Sequence, residues 1–148
     1  MDGKTRELRL AMALYRTTNA LVRQLDRRLL RDHDVTFIQA ITLMAIGSFV
    51  RPQPNLVATF LSQQSQTVTG VLDRLERAGH VHRFRDLDDR RAVRLELTDS
   101  GRRLADAAEA TLQRHASMLF GSIEGRLVPQ LTNELEAVEL SIGTPPPE

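Results

Sequence analysis

Two short stretches of alternating apolar and polar residues interrupt a chain whose other apolar residues recur at helical spacing. Residues 81–85 and 93–97 show this two-residue period, and a charged connection at 86–91 lies between them. Because successive side chains of a strand point to opposite faces, the pattern predicts a β-hairpin. Helical periodicity on both sides restricts the fold to a mainly α protein with a small β-hairpin.

Helical spacing of apolar residues predicts six helices around this hairpin. They span residues 5–31, 37–48, 54–62, 65–78, 99–121 and 126–141. Thr36 is placed to cap the second helix, Pro54 to begin the third and Gly79 to end the fourth. The predicted buried face of the third helix consists of Leu56, Val57, Phe60 and Leu61.

The order of helix, short helix, polar turn, helix and hairpin is typical of a winged helix-turn-helix domain. We place this domain at residues 35–100. A dimerisation helix at 1–34 precedes it, and further dimerisation helices with a tail, at 101–148, follow it. The terminal helices carry more apolar surface than a chain of this length can cover, so the sequence predicts a dimer.

Charge is distributed unevenly along the chain, although the net charge is only +1. Residues 1–103 hold 18 Lys and Arg against 12 Asp and Glu, whereas residues 104–148 hold 2 against 7. Of the 20 basic residues, 19 are arginine, which makes bidentate contacts with phosphate and guanine. A GC-rich genome would also favour arginine, so the distribution of charge is the stronger indication of DNA binding.

The first turn of the predicted helix at 65–78 carries polar residues that the core does not need. Hydroxyl and amide groups at a helix N-terminus can bond to bases and phosphates, and the helix dipole favours the anion. Ser65 could instead cap the helix, and Arg74 is expected to touch phosphate. The predicted DNA contacts of the first two turns are Ser65, Gln66, Thr67, Thr69 and Gly70.

Three motifs resemble the DNA-binding core of the MarR (multiple antibiotic resistance regulator) family over residues 35–103. Residues 67–81, TVTGVLDRLERAGHV, are similar to the recognition helix and its exit. Residues 86–91, DLDDRR, resemble the wing signature, and residues 97–101, LTDSG, resemble the entry to the next helix. The resemblance implies a homodimeric repressor that binds a pseudo-palindromic operator in duplex DNA and is relieved by a small aromatic or phenolic effector.

The resemblance also implies that wing arginines reach the minor groove. Asp89 and Arg91 match the family's Asp-x-Arg pair, in which the carboxylate is expected to orient the guanidinium. Arg90 is the second candidate, and an ion pair that only shapes the wing is the alternative. Gly70 departs from the family, where Arg or Asn is common, so the operator preferences of relatives are not expected to transfer.

Some relatives bind effectors between the DNA-binding core and the dimerisation helices. The candidate pocket residues here are Tyr15, Arg16, His33 and Phe37, each of which could equally be ordinary core or surface. The absence of cysteine excludes thiol sensing. A zinc-responsive regulator is a weaker alternative, since its candidate ligands do not show the spacing of a site. Those candidates are His33, His80, His82 and His115, with Asp86, Asp88 and Asp89.

The sequence contains no motif of a phosphate-binding loop, metalloprotease, serine hydrolase or cysteine nucleophile. We therefore expect no enzymatic activity, cofactor or metal. A winged-helix adaptor that binds proteins is the alternative, and steep salt dependence would indicate DNA instead. No apolar run is long enough for a membrane span, and the N-terminus lacks a signal peptide's apolar region, so a cytoplasmic location is expected.

Overall fold

The computed structural model describes residues 3–143, with side chains from residue 5 onward. This part of the chain forms a mainly α fold with one two-stranded antiparallel hairpin, which confirms the predicted fold class. The chain divides into two compact units, residues 1–112 and 113–148. The predicted tail at 144–148 lies outside the described residues. The elements are α1 (Gly3–His33), α2 (Phe37–Ser48), α3 (Pro54–Phe60), α4 (Ser65–Arg77), β1 (Val81–Arg85), β2 (Val93–Leu97), α5 (Asp99–Phe120) and α6 (Leu127–Gly143).

Local sequence determines where α2 and α3 begin. The Thr36 hydroxyl accepts a hydrogen bond from the Gln39 amide at 3.3 Å, and Gln39 Oε1 accepts one from the Thr36 amide at 2.8 Å. This reciprocal pair satisfies two amides that the helix cannot satisfy itself. Pro54 is the first residue of α3, where its missing N–H is not needed. Both predicted helix starts are confirmed.

Gly79 ends α4 in the left-handed conformation, with φ of 80°. Its amide donates to Glu76 O, and the His80 amide donates to Leu75 O, both at 2.9 Å. These two bonds close the last turn, and a side chain on Gly79 would strain the backbone. The predicted cap is confirmed, and the chain leaves α4 directly into β1.

The hairpin and its connection, residues 81–97, form a wing whose base is anchored in the core. Val81 lies opposite Leu97, and Arg85 lies opposite Val93. The Leu95 amide donates to Pro52 O at 2.9 Å, so the loop before α3 pairs with the outer edge of β2. The base of the wing is thereby fixed on both sides.

The main hydrophobic core lies beneath α4 and the wing. Its members come from α2, α3, α4, both strands and α5. A second cluster joins α1, α2 and α5 through Leu29, Ala40 and Ala108. The main cluster contains Leu43, Ala45, Ile46, Val57, Ala58, Val68, Val71, Leu72, Leu75, Val81, Leu95, Leu97 and Ala105.

The predicted buried face of α3 is wrong at two positions. Val57 is fully buried, whereas Leu56 and Phe60 are 45% and 56% exposed. Ala58 takes the predicted place of the larger residues, and Leu61 packs at the edge of the core. A helix of seven residues offers only one narrow stripe to the core, so apolar residues beside that stripe stay exposed.

The motif at 97–101 fastens the exit of α4 to the start of α5. The Thr98 hydroxyl donates to Gly79 O at 2.7 Å and accepts from the Gly101 amide at 3.0 Å. The Thr98 amide donates to His80 O at 3.1 Å. A methyl group on Gly101 would overlap that same His80 carbonyl. Glycine is therefore required here by close approach of two backbones.

We expect Gly101→Ala to destabilise the protein by about 2–3 kcal/mol, because a backbone carbonyl cannot move aside as a flexible side chain can. Denaturant unfolding at fixed protein concentration measures the change. Gly125→Ala is the matched control, since a methyl group at Gly125 would meet nothing within 4 Å. Equal stability of the two variants would contradict the proposed close approach.

Candidate nucleic-acid interface

The first turn of α4 begins without a capping hydrogen bond from the side chain of its N-cap residue. Gln64 is the N-cap residue and makes no side-chain hydrogen bond to the helix. Ser65 is the first helical residue, so the alternative in which it caps α4 is wrong. Ser65, Gln66 and Thr67 are all exposed. Amides at a helix N-terminus beside hydroxyl and amide side chains favour an anion such as a phosphate.

Burial of four apolar residues fixes which face of α4 is turned outward. Those residues are Val68, Val71, Leu72 and Leu75. Because an α-helix turns by about 100° per residue, Gln66 and Gly70 point away from this buried face. Thr69 and Arg74 lie at its sides and are exposed. Five of the six predicted contacts of this helix are thus exposed, on its outer face and its two flanks, and Gly70 is half-buried.

Arg83 on β1 joins the wing to α4. Its guanidinium lies 2.6 Å from Asp73 Oδ1 and 3.6 Å from Glu76 Oε2. It also donates to Thr69 O at 3.5 Å. Both acidic neighbours of Arg74 are thereby engaged, and Arg74 itself takes part in no ion pair among the described residues. Its charge remains available to a phosphate.

Asp86 orders the connection between the two strands. Its Oδ1 accepts hydrogen bonds from the Asp88 and Asp89 amides, at 2.8 and 3.3 Å. Its Oδ2 accepts one from Arg94 Nε at 2.6 Å. The hydrogen bond from Arg94, assisted by the two amides, holds the pKa of Asp86 below its ordinary value of 3.8.

The predicted side-chain pair between Asp89 and Arg91 is wrong. Asp89 Oδ1 accepts a hydrogen bond from the Arg91 backbone amide at 3.0 Å, not from the guanidinium. A short polar side chain in a tight turn commonly bonds to the backbone two residues on. Arg90 and Arg91 are exposed, and within residues 5–143 neither side chain forms an ion pair. Asp89 therefore shapes the turn and leaves both guanidinium groups accessible.

The sequence patterns predicted no role in the interface for Arg83, Asp86 or Arg94. One signal for Arg83 was available, because Asp73 and Glu76 lie three positions apart on one helix face just before an arginine-bearing strand. In the sequence, Asp86 stood out only as part of the wing motif and as a candidate zinc ligand. Its actual partner, Arg94, lies across the hairpin and is identified only once the strand register is known.

The structure does not bring the four candidate effector residues together within one chain. Tyr15 and Arg16 line a groove of about 630 Å³ on α1. His33, at the far end of the same helix, bonds to the Thr111 hydroxyl at 2.9 Å, and Phe37 packs against the second core cluster. Helix rise alone separates Arg16 from His33 by about 25 Å.

The candidate zinc ligands do not form a metal site. Among the described residues, no three His, Asp or Glu side chains converge on a point that could hold a metal ion. His80 bonds to the Ser100 hydroxyl at 2.8 Å, and His82 stacks on Phe84 with ring centroids 5.9 Å apart. Within the same residues, none of the helices combines the length and apolar content that crossing a membrane requires.

The fold, the polar first turn of α4 and the arginine-bearing wing together define a winged helix-turn-helix protein. Residues 57–93, which run from α3 to the start of β2, match the model of the MarR family. The HTH-type transcriptional regulator TtmR of Methylorubrum extorquens is 35% identical over 103 residues. That alignment covers 70% of this chain but only 52% of TtmR, so the chain spans about half the length of this relative. From α3 to the start of β2, this chain is therefore similar to the MarR family.

Solved structures share the fold at low sequence identity. CouR from Rhodococcus jostii RHA1, bound to p-coumaroyl-CoA, superimposes with a TM-score of 0.79 at 23% identity, over 87% of this chain and 90% of CouR. A MarR variant from E. coli in complex with operator DNA gives a TM-score of 0.81 at 24% identity, over 93% of this chain and 99% of that one. At these identities the likeness establishes the fold alone.

We expect the Asp86 carboxyl to titrate below 3.8 in an NMR titration of the folded protein. Because the folded pKa is lowered, the bonds of Asp86 stabilise the wing at pH values above the unfolded pKa. They are lost as the pH falls through the lower, folded value. Wing amides 86–91 should therefore lose protection in that acidic range.

Arg94→Gln is the control for this assignment. It removes the largest cause of the lowered pKa, so the Asp86 pKa should rise towards 3.8 while the backbone bonds remain. A wild-type pKa at or above the ordinary value would contradict the account of the wing, as would no change in the variant.

Proposed function

We propose that this protein is a transcriptional repressor that acts as a homodimer on a pseudo-palindromic operator in duplex DNA. In this proposal α4 enters the major groove, and the wing lies along the adjacent minor groove. The observation that carries it is the exposed polar first turn of α4, whose N-cap side chain makes no capping bond. Arg83 holds this helix beside a wing with two accessible arginines. A helix in this state supplies phosphate contacts, and its exposed polar side chains supply base contacts.

Unpartnered apolar surface on the terminal helices supports the homodimer. Leu8 and Met12 of α1 are 63% and 51% exposed. None of the described residues of α6 is buried, although Leu131 and Leu135 recur at helical spacing. Monomeric proteins rarely expose apolar stripes of this kind, and a second copy would cover the same stripe on each chain. We assign residues 1–34 and 101–148 to dimerisation and residues 35–100 to DNA binding.

A homodimer carries two copies of α4 related by a two-fold axis. Such a pair fits a DNA site whose half-sites are related by the same symmetry. Occupation of a site that overlaps a promoter would exclude RNA polymerase and so repress transcription. We place this activity in the cytoplasm.

A small aromatic or phenolic effector is the proposed signal. CouR is bound to p-coumaroyl-CoA, and the α1 groove of this chain offers Tyr15, Arg16 and Asn19 to a ligand. Tyr15 and Arg16 therefore stay in the proposed effector site. His33 and Phe37 lie in a different part of the fold. They would not contact the effector, and its binding would reach them only through movement of α1.

Gel-shift titration with DNA from the region upstream of the protein's own gene tests the proposal. Arg91→Ala should weaken binding at least about tenfold and lower the salt dependence by about two counterions, because the dimer loses one guanidinium contact at each half-site. The variant should keep the wild-type circular dichroism spectrum, since the Asp89 bond uses the Arg91 backbone.

Arg126→Ala is the matched control for this test. Arg126 is an exposed arginine that pairs with Glu124 in the loop before α6. It should leave DNA affinity unchanged. No retardation of any upstream fragment at low salt would overturn the proposed function, and equal affinity of Arg91→Ala and wild type would overturn the role of the wing.

A further inference from the structure

Gly70 lies in the interior of α4, where glycine disfavours the helix. It is the sixth of the 13 residues of this helix. Its φ is not in the left-handed region, which Gly79 occupies. A methyl group on Gly70 would meet no atom within 4 Å. Neither the backbone conformation nor the packing of the described residues requires glycine at this position.

At two other positions the structure of the protein itself requires glycine. Gly79 adopts a positive φ, and Gly101 touches the backbone of His80. In each case the protein itself explains why a side chain is absent. Gly70 has no such explanation within the described residues, and unlike Gly125 it lies on the helix that is proposed to enter the major groove.

The position of Gly70 indicates which group of the DNA would lie against it. Gly70 points away from the buried face of α4, one turn after Gln66 and one turn before Arg74. In the proposed complex this surface faces the floor of the major groove. The apolar group that projects there from a base pair is the thymine C5-methyl. The gap at Gly70 offers no hydrogen-bonding side chain, which suits a methyl group better than a base donor or acceptor.

Resting on the proposed function, we propose that Gly70 determines specificity by admitting a thymine C5-methyl group against its Cα. The polar neighbours Gln66 and Thr69 hydrogen-bond to adjacent base edges, while Gly70 selects by shape. Glycine makes the helix less stable than alanine would. In exchange, its small size lets α4 approach the base closely, which raises the affinity for the selected sequence. A side chain at this position would occupy the space that the thymine methyl group takes in the selected site of this protein.

The test combines Gly70→Ala with removal of the thymine methyl. A site is first selected from random duplex DNA with the wild-type protein, and each thymine is then replaced in turn by deoxyuridine. Gly70→Ala should raise the thermal midpoint by about 2–4 °C and bind the selected site about tenfold more weakly.

Deoxyuridine at one position in each half-site should weaken wild-type binding about 15-fold, because two buried methyl contacts are lost, one per half-site. The same substitution should restore most of the affinity of Gly70→Ala, because the methyl group of alanine then occupies the vacated space. Gly125→Ala, which also meets nothing within 4 Å, is the control and should match wild type on every duplex.

The outcomes distinguish failure of the proposed DNA-binding function from failure of the proposed role of Gly70. If the wild-type protein enriches no sequence, the proposed function fails and the role of Gly70 fails with it. If the wild type selects a site and Gly70→Ala binds it equally well, only the inference about Gly70 is wrong. A lowered thermal midpoint, or weaker binding that no deoxyuridine position relieves, would also overturn it.

Discussion

The rotation of α4 about its own axis is the constraint on which the rest of the interface depends. Four apolar side chains of this helix are buried in the main core. Burial of each is worth about 1.5–3 kcal/mol, whereas a partly exposed ion pair or hydrogen bond contributes roughly 1 kcal/mol. Packing in the core therefore determines which face of α4 points outward. The polar contacts determine only how neighbouring side chains are arranged around that face.

Polar contacts then place the wing relative to the helix. Arg83 connects β1 to Asp73 and Glu76 of α4, and the loop at Pro52 pairs with the outer edge of β2. Within the connection of the hairpin, carboxylates bond mainly to backbone amides. The arginine side chains are consequently left for an external anion, which is the arrangement that a phosphate-binding surface requires.

Most of the architecture follows from local sequence patterns. Helical and two-residue periods predict every described element, and the caps Thr36, Pro54 and Gly79 lie where their backbone chemistry requires them. The buried face of α3 could not be predicted, because the choice between Ala58 and Phe60 depends on the direction from which the core approaches a helix of seven residues. Hydrophobicity alone favours the larger side chain.

The polar contacts of the site are harder to predict from the sequence than the helices and strands are. Arg83 and Arg94 find partners that depend on strand register and on the packing of β1 beside α4. Asp89 was correctly placed in the wing, but its bond goes to a backbone amide that any residue at position 91 would supply. The family resemblance suggested one effector pocket that contains both Tyr15 and His33. The two residues lie far apart along the long helix α1.

Hydroxyl-radical footprinting on DNA selected by the purified protein tests the central claim most directly. Two copies of α4 on a two-fold axis should protect two half-sites of related sequence, with centres about 10 base pairs or a multiple apart. The wings should add minor-groove protection beside each half-site. A single protected segment without internal symmetry, or no protection at low salt, would contradict the account.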